Sequence, residues 1–321
     1  MLIPVLLFIV GLCLLIKGGD WFVDGATGLA RRFRIPEIIV GATVVSIGTT
    51  LPEVMVSATG ALNGQGAIAY GNAIGSIICN TSLIAAITVA IRPGKVERKA
   101  LILPVAFFFA SAVIYSVTAY LIGYFHWWLG LILLAVFLVY MIVTIRQGLK
   151  NPSSEEAEEE EKGKSSIVKE LVLLVVGAAV IAVGADLLVD NGTLIAKELG
   201  VPESVIALTF VALGTSLPEL VTAITSLIKG HGALSLGNVI GANLFNLVLV
   251  SGVSITLSPF EVPAESTIGG MNASLVMDIP VMFGVMLLLT VPALLTKKLY
   301  RWQGFLLLGI YAAFCIVQFT L

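Results

Sequence analysis

The six residues Gly48-Thr49-Thr50-Leu51-Pro52-Glu53 interrupt an apolar run that otherwise reads as a single membrane-spanning helix. Gly214-Thr215-Ser216-Leu217-Pro218-Glu219 does the same in the second half of the chain. Each copy puts a helix breaker, two hydroxyls and a carboxylate where hydrocarbon is expected. A charged side chain at mid-bilayer costs about 2.5–3.5 kcal/mol on insertion scales, so two such glutamates need a partner. No Lys or Arg lies close by within the membrane runs, Lys17 being the only base inside one. The proline withholds an N–H and frees the carbonyl four residues earlier, Gly48 or Gly214, adding oxygens to the site. A bound cation is the natural partner. An oxygen-only ligand set suits a hard ion, and two carboxylates suit a divalent one such as Ca2+.

Composition fixes the surroundings. With 321 residues, 58 % hydrophobic and 12 % charged, and a mean hydropathy of +1.04, the chain is expected to be an all-α polytopic membrane protein. An ordinary soluble domain is excluded. Apolar runs predict ten helices at roughly 2–32, 36–62, 67–91, 100–121, 127–147, 168–198, 203–228, 233–257, 274–296 and 302–320. The second and third of each half are expected to be broken. The first and sixth runs, about 31 residues and roughly 46 Å long, exceed a ~30 Å hydrocarbon core and must tilt or protrude. The N-terminus has no basic leader region or cleavage site, so the first run is expected to stay in the membrane. Cys13, Cys79 and Cys315 sit in apolar runs and read as small hydrophobes.

The two halves are copies. A shift of 166 residues aligns Gly11 with Gly177, Asp20 with Asp186, Asp24 with Asp190, Pro36-Glu37 with Pro202-Glu203, and Thr43 with Thr209. The same shift superposes the two breaker segments, then Gly71-Asn72 on Gly237-Asn238, Gly75 on Gly241 and Asn80 on Asn246. So many matches at one offset mean duplication. Five helices per copy is an odd number, so the second copy is expected to enter the membrane upside down. The expected organisation is a first repeat at 1–150, an acidic linker at 151–166 and an inverted second repeat at 167–321.

Sixteen of the 18 Lys and Arg residues fall on one side of the ten-helix arrangement, which predicts both termini outside and the 151–166 linker in the cytoplasm. The loop Arg92-Pro93-Gly94-Lys95-Val96 has the counterpart Ser258-Pro259-Phe260-Glu261-Val262, in which the bases are gone. Selection on opposite faces of a bilayer produces that difference. The linker carries Glu155, Glu156 and Glu158 to Glu161 and reads as a solvated connection. His126, Trp127 and Trp128 read as an interfacial aromatic belt.

A second polar segment lies in the third helix of each half. Ser76 and Asn80 are four residues apart on one helix face and can address a common site, and Asn246 repeats Asn80. Gly71, Gly75, Gly237 and Gly241 have the spacing that lets helices approach closely. Asp20, Asp24, Asp186 and Asp190 read as solvated or capping groups. Glu37 and Glu203 read as first-turn acids that complement a helix dipole.

These residues resemble the sodium/calcium exchanger family of the calcium/cation antiporter superfamily. The likeness covers nearly the whole chain: two five-helix halves, a linker, and in each a Gly-Thr-[Thr/Ser]-Leu-Pro-Glu segment followed by a Gly-Asn-x-Ile-Gly segment ending in Asn. It implies antiport of Ca2+ against Na+, typically three for one, as the first and sixth helices slide over the rest. It makes Glu53 and Glu219 shared Ca2+ and Na+ ligands, with Thr49 and Thr215 giving hydroxyl and carbonyl oxygens and Thr50 and Ser216 in support. Carbonyls of Ser46 and Ala212 would face flanking Na+ sites, Ser76 would add a ligand, and Asn80 and Asn246 would complete the centre. Two departures stand out: Ala242 occupies the position equivalent to Ser76, and Asn246 one that is Asp in some relatives. The partners implied are Ca2+, Na+ and the lipid bilayer, with no nucleic acid, no cofactor and no enzymatic activity; a monomer suffices. Three other readings stay open: exchange against protons, a passive cation channel, and an intramembrane hydrolase, although no Ser/His or metal cluster accompanies the carboxylates.

Overall fold

The computed structural model describes residues 2–150, 166–199, 214–264 and 267–320. Ten helices account for most of them: α1 (Leu2–Phe33), α2 (Glu37–Leu62), α3 (Gly66–Ile91), α4 (Arg98–Leu121), α5 (Trp127–Lys150), α6 (Ile167–Glu198), α7 (Leu217–Ile228), α8 (Gly232–Leu257), α9 (Ser274–Thr296) and α10 (Arg301–Thr320). Nine of them lie within a few residues of their runs in the sequence; the seventh, expected from 203, begins at Leu217 after a turn at 214–216. The first part of the seventh run, with Glu203, Thr209 and Ala212, lies outside the described residues, as does 151–165 of the linker. Among the described helices, nine are long and apolar enough to cross a membrane. The chain is an integral membrane protein.

Burial sorts the helices into an inner and an outer set. Of the α8 span 83 % is buried, whereas only 22 % of the α1 span is. The inner helices α2, α3 and α8 carry the polar motifs. The outer pair, α1 and α6, show apolar side chains such as Leu6, Ile9, Val172 and Val175 on the surface that lipid covers. The same two helices touch through glycine. A methyl group on Gly11 would lie 2.9 Å from the Gly184 carbonyl oxygen, one on Gly18 2.9 Å from Ile181 N, and one on Gly25 2.6 Å from Leu174 N. As α1 ascends in number α6 descends, so these equivalent helices run antiparallel along most of their length.

The same relation recurs in the loops. Val96 N donates to the Lys297 carbonyl at 2.9 Å and Leu299 N to the Gly94 carbonyl at 2.9 Å, joining the α3–α4 loop to the α9–α10 turn. Val262 N donates to the Gly123 carbonyl at 2.9 Å, joining the α8–α9 loop to the α4–α5 turn through the short strands β1 (Tyr124–Phe125) and β2 (Phe260–Glu261). Val96 and Val262 are the pair matched by the 166-residue shift. A further hairpin, β3 (Thr267–Ile268) with β4 (Met271–Asn272), precedes α9.

The expected breaks in α2, α3 and α8 take another form. All three helices are continuous, and each contains a π-helical turn: Gly41–Val45, Asn80–Ala85 and Asn246–Val250. A proline in a helix removes one hydrogen bond but need not end it, and α2 runs on through Pro52. A π turn inserts a residue, rotates the rest of the helix about its axis and leaves backbone groups for side chains to satisfy. Ser46 Oγ donates to the Gly41 carbonyl at 2.7 Å and Ser251 Oγ to the Asn246 carbonyl at 3.2 Å, each reaching back five residues. Tyr140 Oη donates to the Ala42 carbonyl at 2.9 Å.

Asp20 and Asp24 are in part exposed, as solvated groups are, and they also take an ion-pair partner that the sequence did not indicate. Lys229, which ends α7, bridges both, at 3.4 Å from Asp20 Oδ1 and 2.7 Å from Asp24 Oδ1. His231 Nδ1 lies 2.6 Å from Glu37 Oε1. Both contacts link elements distant in sequence, which no local pattern reveals.

Gly237 and Gly241 hold α8 against α2, as their spacing suggested. A methyl group on Gly237 would stand 2.9 Å from Ile38 Cα, and one on Gly241 2.6 Å from Ala42 Cα. Gly237→Ala is therefore expected to cost about 1–3 kcal/mol through overpacking. Thermal unfolding in detergent, followed by size-exclusion chromatography, should show a lowered midpoint. Gly284→Ala, facing open space among the described residues, should leave it unchanged.

Candidate cation site

Glu53 on α2 and Glu219 on α7 are both fully buried, one turn beyond the Thr-Thr and Thr-Ser pairs that precede them. The helices that carry them, α2 and α7, pack against each other. None of their four carboxylate oxygens has a hydrogen-bond partner among the described residues, and no base reaches them. Thr50 Oγ1, Ser216 Oγ and both polar atoms of the Asn80 and Asn246 side chains are likewise buried with no partner among the described residues. Buried polar atoms are nearly always satisfied, so this concentration on sequence-equivalent residues marks a place built for a guest.

The hydroxyls next door are oriented from across the repeat boundary. Thr49 Oγ1 donates to Asn238 Oδ1 at 3.3 Å, and Thr215 Oγ1 donates to Asn72 Oδ1 at 3.3 Å. A hydroxyl that ligates a cation must turn its proton away, and the two asparagines accept those protons. Ser46 Oγ reaches the Asn238 carbonyl at 3.0 Å. Asn72 Nδ2 also donates to the Glu53 carbonyl at 3.1 Å and to Ser57 Oγ at 2.8 Å. The position equivalent to Ser57 is Ala223, which leaves Asn238 Nδ2 without a partner.

Of the residues singled out in the sequence, Ser46, Thr49, Thr50, Glu53, Ser76, Asn80, Ser216, Glu219 and Asn246 are buried, and Thr215 is half-buried. Ala212 lies outside the described residues. Asn80 and Asn246 each open a π turn, which directs the amide differently from a regular α-helix. Asn72 and Asn238 were visible in sequence only as a repeated Gly-Asn dipeptide. Their part in orienting threonines of the opposite half depends on helix packing. Among the described residues no three His, Cys, Asp or Glu side chains gather, so the set comprises two carboxylates and neutral oxygens. That chemistry suits hard cations.

Comparison with known proteins agrees with this architecture. A family model described as sodium/calcium exchanger protein matches residues 3–146 and 169–320. An uncharacterized membrane protein of Methanocaldococcus jannaschii is 37 % identical over 95 % of this chain and 94 % of its own length. The sodium/calcium exchanger MaX1 of Methanosarcina acetivorans is 29 % identical over 98 % of each chain. A solved structure of the sodium-calcium exchanger NCX_Mj, soaked with Na+ and Sr2+, superposes with a TM-score of 0.81 at 34 % identity, over 97 % of both chains. The chain is a member of the sodium/calcium exchanger family.

Proposed function

We propose that this protein exchanges Ca2+ for Na+ across the membrane by alternating access, with Glu53 and Glu219 as the ligands that both ions share. The observation that carries the reading is the burial, on helices that pack together, of two carboxylates and of the Thr50, Ser216, Asn80 and Asn246 oxygens, all without a partner among the described residues. One Ca2+ neutralises both carboxylates. Three Na+ ions leave one net positive charge on the loaded site, worth about 2.3 kcal/mol per 100 mV as it crosses, so transport is electrogenic. Thr49 and Thr215 supply hydroxyl oxygens whose protons rest on Asn238 and Asn72. Ser76 and the carbonyls of Ser46 and Ala212 serve flanking Na+ sites.

The chain works as two inverted repeats, 1–150 and 167–321, joined by a cytoplasmic linker at 151–166, with both termini outside. The antiparallel packing of α1 on α6 and the paired loop contacts of Val96 and Val262 support this organisation. The outer α1–α6 pair slides over the inner helices to expose the site to one side, then the other. Sodium rather than the proton drives exchange, a reading supported by the hydroxyls retained beside each glutamate and by the relatives named as sodium/calcium exchangers.

Proteoliposomes test this directly. An outward Na+ gradient should drive isotopic Ca2+ uptake, and a negative interior should alter its rate; uptake driven by a pH gradient alone would overturn the sodium reading. Dependence of uptake on internal Na+ excludes a passive channel. Glu53→Gln should abolish uptake and leave the size-exclusion profile intact. Asn238→Leu removes the acceptor for the Thr49 proton and should weaken apparent Ca2+ affinity by roughly ten-fold, the effect of about 1–1.5 kcal/mol from one lost hydrogen bond. Uptake by Glu53→Gln at the rate of the unmodified protein is the result that removes the central site.

A further inference from the structure

The two hairpins that hold the glutamates are not equally polar. Below Glu219, Thr222 and Ser226 follow at helical spacing on α7, and both hydroxyls are fully buried with no partner among the described residues. Ser235 Oγ and Asn238 Nδ2, three residues apart on α8, are also buried and unpartnered. The turn between the helices is closed by His231 N donating to the Ser226 carbonyl at 2.7 Å. Its register matches the first hairpin, where Asn72 Nδ2 and Ser57 Oγ are 2.8 Å apart. That register brings Ser226 level with Ser235, and Asn238 beside Ala223 and Thr222. Ser235 lines a cavity of about 180 Å³ that Arg92, Lys95, Glu97, Leu227 and Gly230 help to form.

The equivalent positions of the first hairpin are Val56 for Thr222, Gly60 for Ser226 and Ala69 for Ser235. Its one polar side pair, Ser57 with Asn72, is satisfied. Four buried polar atoms without partners among the described residues gather on one of the two hairpins, and the central site alone does not explain them. In an apolar interior each would cost about 1–3 kcal/mol unless water or an ion meets it. We infer that α7 and α8 form a hydrated leg, running roughly 10 Å from Glu219 to the cavity at Ser235, in which Thr222, Ser226, Ser235 and Asn238 replace the hydration shell of the passing cation. No matching leg runs along α2 and α3 to the opposite face, so ions leave the centre by different chemistry on the two sides. The inference rests on the proposed exchange for its cargo, and on the orphaned groups for its path.

The test uses the full chain in proteoliposomes, with Cys13, Cys79 and Cys315 replaced by alanine. Ser226→Cys and Thr222→Cys are each compared with Gly60→Cys and Val56→Cys for labelling by a charged, water-soluble thiol reagent, read by mass spectrometry in Na+ and in Ca2+. Labelling at 226 and 222 with none at 60 and 56 is the expected outcome. No labelling at 226 or 222 in either ion, or equal labelling of both hairpins, overturns the leg. In the unmodified background, Thr222→Val combined with Ser226→Ala should slow Ca2+ uptake by roughly ten-fold, about one lost hydrogen bond in the barrier. Equilibrium binding of Ca2+ to the detergent-purified variant should be unchanged. Uptake at the unmodified rate also overturns the leg. Loss of Ca2+ binding in Glu219→Gln reports on the central site separately, so failure of the leg and failure of the exchange reading give different results.

Discussion

Two carboxylates held in a water-poor interior, with no base within reach, set the terms for everything around them. Each would be expelled toward water or protonated unless cations meet it. Glu53 and Glu219 are both fully buried, in helices whose outer neighbours are apolar, so the fold has to keep them there by packing. It does so where side chains are smallest. Gly237 and Gly241 let α8 press against α2, and Gly41 accepts the approach of α8 from the other side, with Asn238 N 2.8 Å from where its methyl group would be. This close approach puts the Asn238 amide in reach of Thr49 and Ser46. Packing and chemistry are therefore one arrangement: loosening the glycine contact moves the group that holds the threonine proton.

Repetition supplies the second half of that arrangement. Thr49 bonds Asn238, and Thr215 bonds Asn72; each hydrogen bond crosses from one repeat to the other. In both cases the asparagine that accepts from the threonine belongs to the other half of the chain. The symmetry is incomplete in informative places. Ser57 faces Asn72 where Ala223 faces Asn238, and Lys229 grips Asp20 and Asp24 where the equivalent residue, Asn63, carries no charge to grip Asp186 and Asp190. Two-fold equivalence builds the centre; departures from it distinguish the two faces of the membrane.

Much of this could be read in the sequence because a duplicated motif carries its own control. A glutamate in an apolar run is ambiguous, but Glu53 and Glu219 at one offset with the same proline, threonine and glycine neighbours are not. Helix ends were legible to within a few residues, since charged and Gly/Pro punctuation bounds apolar runs. The π turns at Asn80 and Asn246 were not, since they depend on how neighbouring helices divide the backbone hydrogen bonds. The Lys229 and His231 contacts join positions 205 and 194 residues from their partners, Asp24 and Glu37. Only the tertiary arrangement brings such groups together. Asn72 and Asn238 fall between these cases: repetition marked them, while their task emerged only from packing.

The makeup of the central set bears on which ions can share it. Two carboxylates match the charge of one Ca2+, and the neutral oxygens of Thr50, Ser216, Asn80 and Asn246 can complete a coordination shell without adding charge. A third carboxylate at position 246 would leave bound Ca2+ with a net negative site and would favour a larger total cation charge. In the site proposed above, asparagine at this position would leave a Ca2+-loaded set neutral, which lowers the electrostatic cost of moving it through a low-dielectric interior. With Na+ the same groups divide differently. The ions are monovalent, each glutamate can serve its own, and the flanking hydroxyls and carbonyls matter more because each ion takes a smaller share of carboxylate. Position 242 is alanine where its counterpart Ser76 has a hydroxyl, so the second copy offers one side-chain oxygen fewer. The two prolines do not free equivalent carbonyls: Pro52 lies inside α2 and withholds the N–H that would meet the Gly48 carbonyl, whereas Pro218 opens α7 and the Gly214 carbonyl accepts from Leu217 N at 3.3 Å, so the expectation drawn from the repeated motif holds in the first copy and not in the second.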